Sequence, residues 1–238
     1  MTADTAPNGS GPLLDINGLT TRFPTPRGVL TAVDDVSFQV DAGEVFGLVG
    51  ESGSGKTATI RSILRLVPRP GRVAAGSIRF KGTDLARLDE RQLRRIRGRE
   101  IAMIFQDPGT ALNPVVRIET QIVEMLAAHG VSRGGTARRQ AVELLRAVGI
   151  PAPEQRLRDF PHQMSGGMAQ RVVIAIAIAA NPSLLLADEP TTALDVTIQD
   201  QILSLLLQLQ AERGMSMILV THNLGVVAET CHRVGVMY

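Results

Sequence analysis

Three observations predict an α/β fold. An apolar run, Val45-Phe46-Gly47-Leu48-Val49, feeds into the glycine-rich stretch Gly50-Glu51-Ser52-Gly53-Ser54-Gly55-Lys56-Thr57 and then into a helical run, Ala58 to Leu64. A second buried strand, Leu184-Leu185-Leu186-Ala187, ends in the adjacent acids Asp188-Glu189. Between the two, from about Ala111 to Phe160, the pattern is helical and amphipathic and no strand interrupts it.

The bulk composition sets limits. At 238 residues the chain can bury a large core, and a hydrophobic fraction of 44% with 20% charged residues is that of a globular protein. The net charge of +2 gives no general support to nucleic-acid binding. Nearly all positive charge is arginine: the only lysines are Lys56 and Lys81, so the lysine in the glycine loop is not drawn from a lysine-rich background. The single cysteine, Cys231, leaves no internal disulfide, and no Cys/His cluster suggests zinc. Residues 1–12 read as a disordered tail rather than a signal peptide. The longest apolar run, Val172 to Ala180, is far shorter than the roughly 20 residues that span a bilayer.

In chain order, Leu13 to Arg22, Val29 to Val40 and Val45 to Val49 read as strands of a small sheet, separated by Pro24 to Gly28 and by Asp41-Ala42-Gly43. Phe23 fits two roles, stacking on an adenine or packing at a strand end. Gly76 to Gly82 reads as strand and turn, and Arg87 to Arg99 as a basic helix, either a solvated face or an anion-contacting one. The strand Ile101 to Phe105 ends at Gln106-Asp107-Pro108. Helices follow over Glu119 to Ala128 and Thr136 to Val148, with Gly130 to Gly135 as the loop. Ser165 is placed to cap a helix over Met168 to Ala180, with Gly166 and Gly167 beside it, which makes a helix start open to anions. A helix over Thr197 to Gln210 and a strand over Ser216 to Val220, ending in Thr221-His222, complete the reading.

The spacing in Gly50 to Thr57 has a physical reason. Glycines let successive backbone N–H groups wrap a phosphate chain, and the following helix points its positive end at the same anion. Lys56 would add charge near the outermost phosphates, and the Thr57 hydroxyl would ligate a magnesium ion. Glu51, Ser52, Ser54 and Ala58 complete the phosphate-binding stretch. Two acids at the end of a buried strand are poor for stability unless they cap a helix or serve a metal and a reaction. Asp188 would hold the magnesium and Glu189 would position and deprotonate an attacking water. In an α/β protein the polar strand ends, Gln106, Asp188 and His222, fall on the edge where ligands bind.

These pieces, in this order, resemble the nucleotide-binding subunit of an ABC transporter, over about Leu13 to Tyr238. The resemblance assigns Walker A to Gly50–Thr57, the Q-loop to Gln106 and the signature to Met164-Ser165-Gly166-Gly167-Met168. Walker B ends in Asp188 and Glu189, the D-loop is Ala193-Leu194-Asp195, and the switch histidine is His222. It implies a P-loop NTPase of the ABC ATPase type, with a RecA-like core, a small antiparallel β subdomain and an inserted helical subdomain at about 107–165. It also implies Mg2+-dependent ATP hydrolysis, with Lys56, Gln106, Glu189 and His222 catalytic, Thr57, Gln106 and Asp188 on the metal, and Phe23 on the nucleotide. Ser165, Gly167, Met168 and Asp195 would serve the nucleotide held by a second, identical or similar chain. Met103-Ile104-Phe105-Gln106-Asp107-Pro108, Ala111-Leu112-Asn113-Pro114 and Ala193 to Gln199 look like the dipeptide, oligopeptide and nickel importer branch.

The resemblance further implies transmembrane permease subunits as partners, an extracytoplasmic binding protein indirectly, no nucleic acid, and a peripheral place on the cytoplasmic face of the membrane. Peptide is the cargo favoured, with nickel the alternative. A soluble ABC ATPase of DNA repair or translation would predict a second cassette, a coiled-coil insertion or a basic face, none of which the sequence carries. A subunit without turnover conflicts with intact Lys56, Asp188, Glu189 and His222. The sequence departs from the general pattern in having Met164 and Met168 where Leu and Gln are usual, and in stopping at Tyr238, where this branch continues.

Overall fold

The computed structural model describes residues 11–192 and 194–238; what was expected of residues 1–10 and of Ala193 lies outside the described residues. In chain order the elements are β1 (Leu14–Thr25), β2 (Gly28–Val40), β3 (Val45–Gly50), α1 (Lys56–Ile63), β4 (Arg72–Phe80), β5 (Thr83–Asp84), α2 (Glu90–Ile96) and β6 (Ile101–Ile104). Then come α3 (Pro108–Ala111), α4 (Ile118–Ala128), α5 (Gly134–Ala147), α6 (Pro153–Arg156), α7 (Gly166–Ile178), β7 (Leu184–Asp188), α8 (Val196–Arg213), β8 (Ser216–Thr221), α9 (Leu224–Thr230) and β9 (Arg233–Met237).

Alternation of apolar and polar residues through the first strands suits an antiparallel sheet with one buried face. That sheet has the order β2-β1-β4-β5. Its first hairpin is tighter than the sequence suggests. Pro24 pairs with Val29 and Thr25 with Gly28, and the Thr25 hydroxyl donates to Gly28 O at 2.8 Å, so only Pro26 and Arg27 form the turn. β4 likewise starts before the expected Gly76. That glycine sits in a bulge rather than at a strand start: at φ +91 it lies so close to β1 that a Cβ would meet Gly18 O at 2.4 Å.

The second sheet is parallel, with the order β6-β7-β8-β3-β9. Its strands are near-continuous apolar runs because both faces are covered. Leu184 to Ala187 are fully buried. On one face lie α1 and the antiparallel sheet, around Ile60, Ile63, Ile78 and Phe80. On the other, α4, α5, α7 and α8 share a core with the alternate strand residues. Ile118, Ile122 and Leu126, spaced four apart on α4, pack there with Ala137, Ala141 and Leu145 of α5.

Two helices differ from expectation. α5 begins at Gly134, inside the stretch expected to be loop. The basic stretch is helical only over α2, where Asp89 and Gln92 form a capping box. It ends at Arg97, whose guanidinium turns back to donate to Leu64 O at 2.9 Å, so that arginine serves packing rather than a solvated face.

The register sets the site. Parallel pairing places Ile104 beside Ala187, Asp188 beside Val220, and Val49 beside Thr221. The C-terminal ends of β6, β7, β8 and β3 therefore share one edge, where α/β sheets bind ligands.

At the outer strand, Arg233 of β9 donates from Nε to Glu44 Oε1 at 2.6 Å and from Nη2 to Glu44 Oε2 at 2.9 Å, and its guanidinium lies 5.8 Å from the Phe46 ring. Burial pushes the Glu44 carboxyl up, but the Arg233 hydrogen bond and the Asp41 amide outweigh it and hold the group below its ordinary 4.5. A carboxyl depressed on folding stabilises above its unfolded pKa, and that contribution is lost as pH falls through the folded one. Glu44→Gln is expected to cost about 1–2 kcal/mol at pH 7 and to flatten the loss of stability below pH 4.5. Urea unfolding at neutral and acid pH checks this, and equal neutral stability of the two proteins would contradict it.

Candidate functional site

The glycine loop leaves β3 at Gly50 and enters α1 at Lys56. Gly55 caps that helix in a left-handed conformation, φ 94, and no side chain caps it, so the first-turn amides face the loop. A Cβ at Gly55 would lie 2.2 Å from Ala32 O, so the position requires glycine for both its conformation and its close approach to β2. Inside the loop Lys56 is buried, 5% exposed, and its Nζ donates to Gly50 O at 2.8 Å and Glu51 O at 2.6 Å. Among the described residues no carboxylate forms an ion pair with it. A buried ammonium held by two carbonyls and, at 3.5 Å, by the Ser54 hydroxyl, with no counter-charge, suits an anion that the loop amides also face.

Thr57, the next residue, reaches across to β7. Its hydroxyl donates to Asp188 Oδ1 at 2.8 Å. Asp188 is fully buried, and its Oδ2 has no hydrogen-bond partner. Burial raises the Asp188 pKa, opposed by the Thr57 hydrogen bond and by the charges of Arg61 and Lys56, while Glu189 adds to the rise. An orphaned buried carboxylate oxygen beside a hydroxyl is a hard-oxygen donor pair. That fits magnesium, which binds through one or two protein oxygens plus phosphates and retained waters.

Glu189 leaves the strand in a left-handed conformation, φ 44, which costs about 1–3 kcal/mol for a residue with a side chain. Its N–H still donates to Val220 O at 3.1 Å, so the turn swings the side chain away while the backbone stays tied to β8. The carboxylate is then held from several sides. Gln106 Nε2 donates to Oε2 at 2.9 Å, the Thr192 hydroxyl donates to the same oxygen at 2.9 Å, and His222 Nδ1 lies 3.6 Å from Oε1. The carboxylate is one-fifth exposed and the imidazole about two-thirds, so the pair faces solvent while Asp188 does not. Gln106, expected on a metal, makes its contact here to Glu189.

Two positioning residues escaped the sequence reading. Thr192 stands three residues after Glu189 in the same turn, a spacing that could have flagged it. Gln170 is buried in the middle of α7 and donates to Pro190 O at 2.7 Å, fixing the residue after Glu189. An amide flanked by the apolar run of that helix was the available signal.

The remaining candidates form a second locus. Ser165 caps α7, accepting from Met168 N at 3.3 Å, and Asp195 caps α8, accepting from Ile198 N at 3.0 Å. A Cβ on Gly167 would lie 2.9 Å from Ile198 Cγ2, so the two helix starts abut. Met168 packs half-buried against the core. Among the described residues no hydrogen bond joins Ser165, Gly167, Met168 or Asp195 to the cluster of Lys56, Asp188 and Glu189. Phe23 is half-buried at the end of β1, its ring against Gly71, where a Cβ would meet Cε1 at 2.4 Å. Its packing role is thus in evidence.

Residues 33–192 match the family model described as ABC transporter. The chain is 52% identical over 227 residues to the oligopeptide transport ATP-binding protein OppD of Bacillus subtilis (strain 168), covering 95% of this chain and 63% of that protein. It is 50% identical over 226 residues to the dipeptide transport ATP-binding protein DppD of Escherichia coli (strain K12), covering 95% and 69%. The chain therefore spans about two thirds of the length of these relatives. Among solved structures, a dimeric post-hydrolysis state of the ATP-binding cassette MJ0796, bound to ADP and Pi, superposes with a TM-score of 0.82 at 28% identity over 94% of both chains. With the family model matching most of its length, the chain belongs to the ABC transporter family.

Proposed function

We propose that the chain is the ATP-binding and ATP-hydrolysing subunit of an importer of dipeptides and oligopeptides. The observation that carries this is the strand-edge cluster in which Lys56, Thr57–Asp188 and the gripped Glu189 carboxylate meet, in a chain half identical to peptide-transport ATP-binding proteins. The loop amides from Gly50 to Ala58 and the Lys56 ammonium bind and neutralise the phosphate chain. Thr57 Oγ1 and Asp188 hold the magnesium, with Gln106 as a further ligand, and the bound ion supplies charge neutralisation at the phosphates. Glu189 orients the attacking water and accepts its proton, while Gln106, Thr192 and His222 fix the direction of the carboxylate. The Phe23 ring, partly buried at the end of β1, stacks on the adenine.

The second locus serves a neighbouring chain. Two copies, or this chain and a similar one, pair head to tail so that Ser165, Gly167, Met168 and Asp195 of one meet the nucleotide bound by the other. Supporting this, no hydrogen bond among the described residues joins Ser165, Gly167, Met168 or Asp195 to the Lys56 cluster, and the MJ0796 cassette is dimeric. Closure of the pair moves permease subunits through the surface near Gln106 and the helical lobe at about 107–165. The chain works as a peripheral subunit on the cytoplasmic face of the membrane, and an extracytoplasmic binding protein delivers the peptide. No helix among the described residues is long and apolar enough to cross a membrane.

Glu189→Gln keeps the size and hydrogen-bonding reach of the side chain but cannot take a proton. It is expected to retain ATP binding while turnover falls by about 10²–10⁴-fold; steady-state phosphate release within a factor of a few of wild type would sink the assignment. Asp188→Asn is expected to leave a folded protein whose nucleotide affinity no longer responds to Mg2+, measured by titration with and without the ion, and an unchanged Mg2+ response contradicts the metal role. Placed in the host chromosome, Glu189→Gln should stop uptake of a radiolabelled tripeptide. Unchanged uptake would overturn the peptide reading and leave the ATPase chemistry standing.

A further inference from the structure

The antiparallel sheet has an open stretch of edge. β5 pairs with β4 only at Arg79 and Phe80, so from Arg72 to Ser77 the outer side of β4 has no strand beside it among the described residues. Native sheets protect such edges with charges, prolines or bulges. Here the pairing with β1 is irregular at Ala74 as well as at Gly76, and Ala74 and Ala75 are exposed and small enough to let another backbone approach. Against this edge lies a cavity of about 400 Å³, walled by Ile63, Val67, Val73, Ile78 and Leu85. It has room for one large apolar side chain.

The rim is cationic. Arg65 and Arg72 line the cavity, and Arg69 is exposed on the loop leading into β4. Arg72 stands directly opposite Arg22 across the β1–β4 pair. Like charges facing one another across a sheet are unfavourable, and among the described residues none of Arg22, Arg65, Arg69 and Arg72 forms an ion pair. An unpaired edge, an apolar socket and clustered guanidiniums without counter-charges describe one kind of occupant.

We propose that the Arg72–Ala75 edge of β4 binds an extended acidic segment of a partner protein. The segment adds as a short strand, seats one large apolar side chain in the cavity and lays its carboxylates on Arg22, Arg69 and Arg72. The surface does not include Lys56, Asp188 or Glu189, but Gly71 of its cavity wall meets the Phe23 ring, so ATP affinity is measured beside the peptide titration to keep the two readings distinguishable.

The probe is a fluorescein-labelled octapeptide alternating glutamate with valine and carrying one phenylalanine, titrated into the full chain at low salt. Binding in about the 10–100 μM range is expected, weakening with added salt. The double variant Arg69→Glu, Arg72→Glu, both on the surface, is expected to bind at least about tenfold more weakly, with ATP binding unchanged. Hydrogen exchange should slow at Arg72 to Ala75 when the peptide is present. The proposal is overturned if the charge reversals leave the affinity unchanged, if protection maps elsewhere, or if those amides are already protected in the free protein. It is equally overturned if phosphatidylserine vesicles bind with the same arginine dependence while the peptide does not, which would make the patch a lipid contact.

Discussion

The parallel register of the central sheet is the constraint on which the rest depends. Pairing Asp188 with Val220, Val49 with Thr221 and Ile104 with Ala187 brings the ends of four strands to one edge. Everything chemical then follows from what each strand carries just past its last buried residue: the glycine loop after β3, Gln106 after β6, the acid pair at the end of β7 and His222 after β8. A slip of one residue in β7 would reverse which side chains face each core and would part Asp188 from Thr57. The apolar strands, buried on both faces, pin that register and so hold together groups that would otherwise repel or desolvate one another.

Within that frame the two acids are divided by environment. Asp188 is buried, is reached by the Thr57 hydroxyl and keeps one oxygen without a partner. Glu189, one residue later, is turned by a left-handed backbone into a polar setting where Gln106, Thr192 and His222 surround its carboxylate. Adjacent residues of the same chemistry thus stand in different surroundings, which is what the roles proposed for them, one on a cation and the other on a water molecule, require. The strained backbone at Glu189 is what separates them, and the tie from its N–H to β8 sustains that strain.

Much of this was legible in the sequence because it is local. The glycine loop between strand and helix, the Ser165 cap and the acid pair ending a buried strand are all read from neighbouring residues, and the structure places them as expected. What the sequence concealed depends on partners distant along the chain. Gly76 read as a strand start because its role, a bulge against Gly18, exists only once β1 and β4 pair. Arg97 read as part of a basic helix, solvated or anion-contacting, but its guanidinium bonds to Leu64 O, 33 residues away. Gln170 acquires its role only from Pro190 O, the partner that the fold brings beside it from 20 residues away. The Arg22–Arg72 juxtaposition is of the same kind, invisible until the strands are in register.

The Thr57–Asp188 pair, proposed as the metal end of a nucleotide site on the sheet edge, can be tested where the ion would sit. The most direct measurement is anomalous scattering from Mn2+, substituted for Mg2+, in crystals of the protein grown with a non-hydrolysable ATP analogue. A single strong peak is expected beside Thr57 Oγ1 and the Asp188 carboxylate, with the terminal phosphates against Lys56. A peak elsewhere, or nucleotide density away from the Gly50–Thr57 loop, would contradict it.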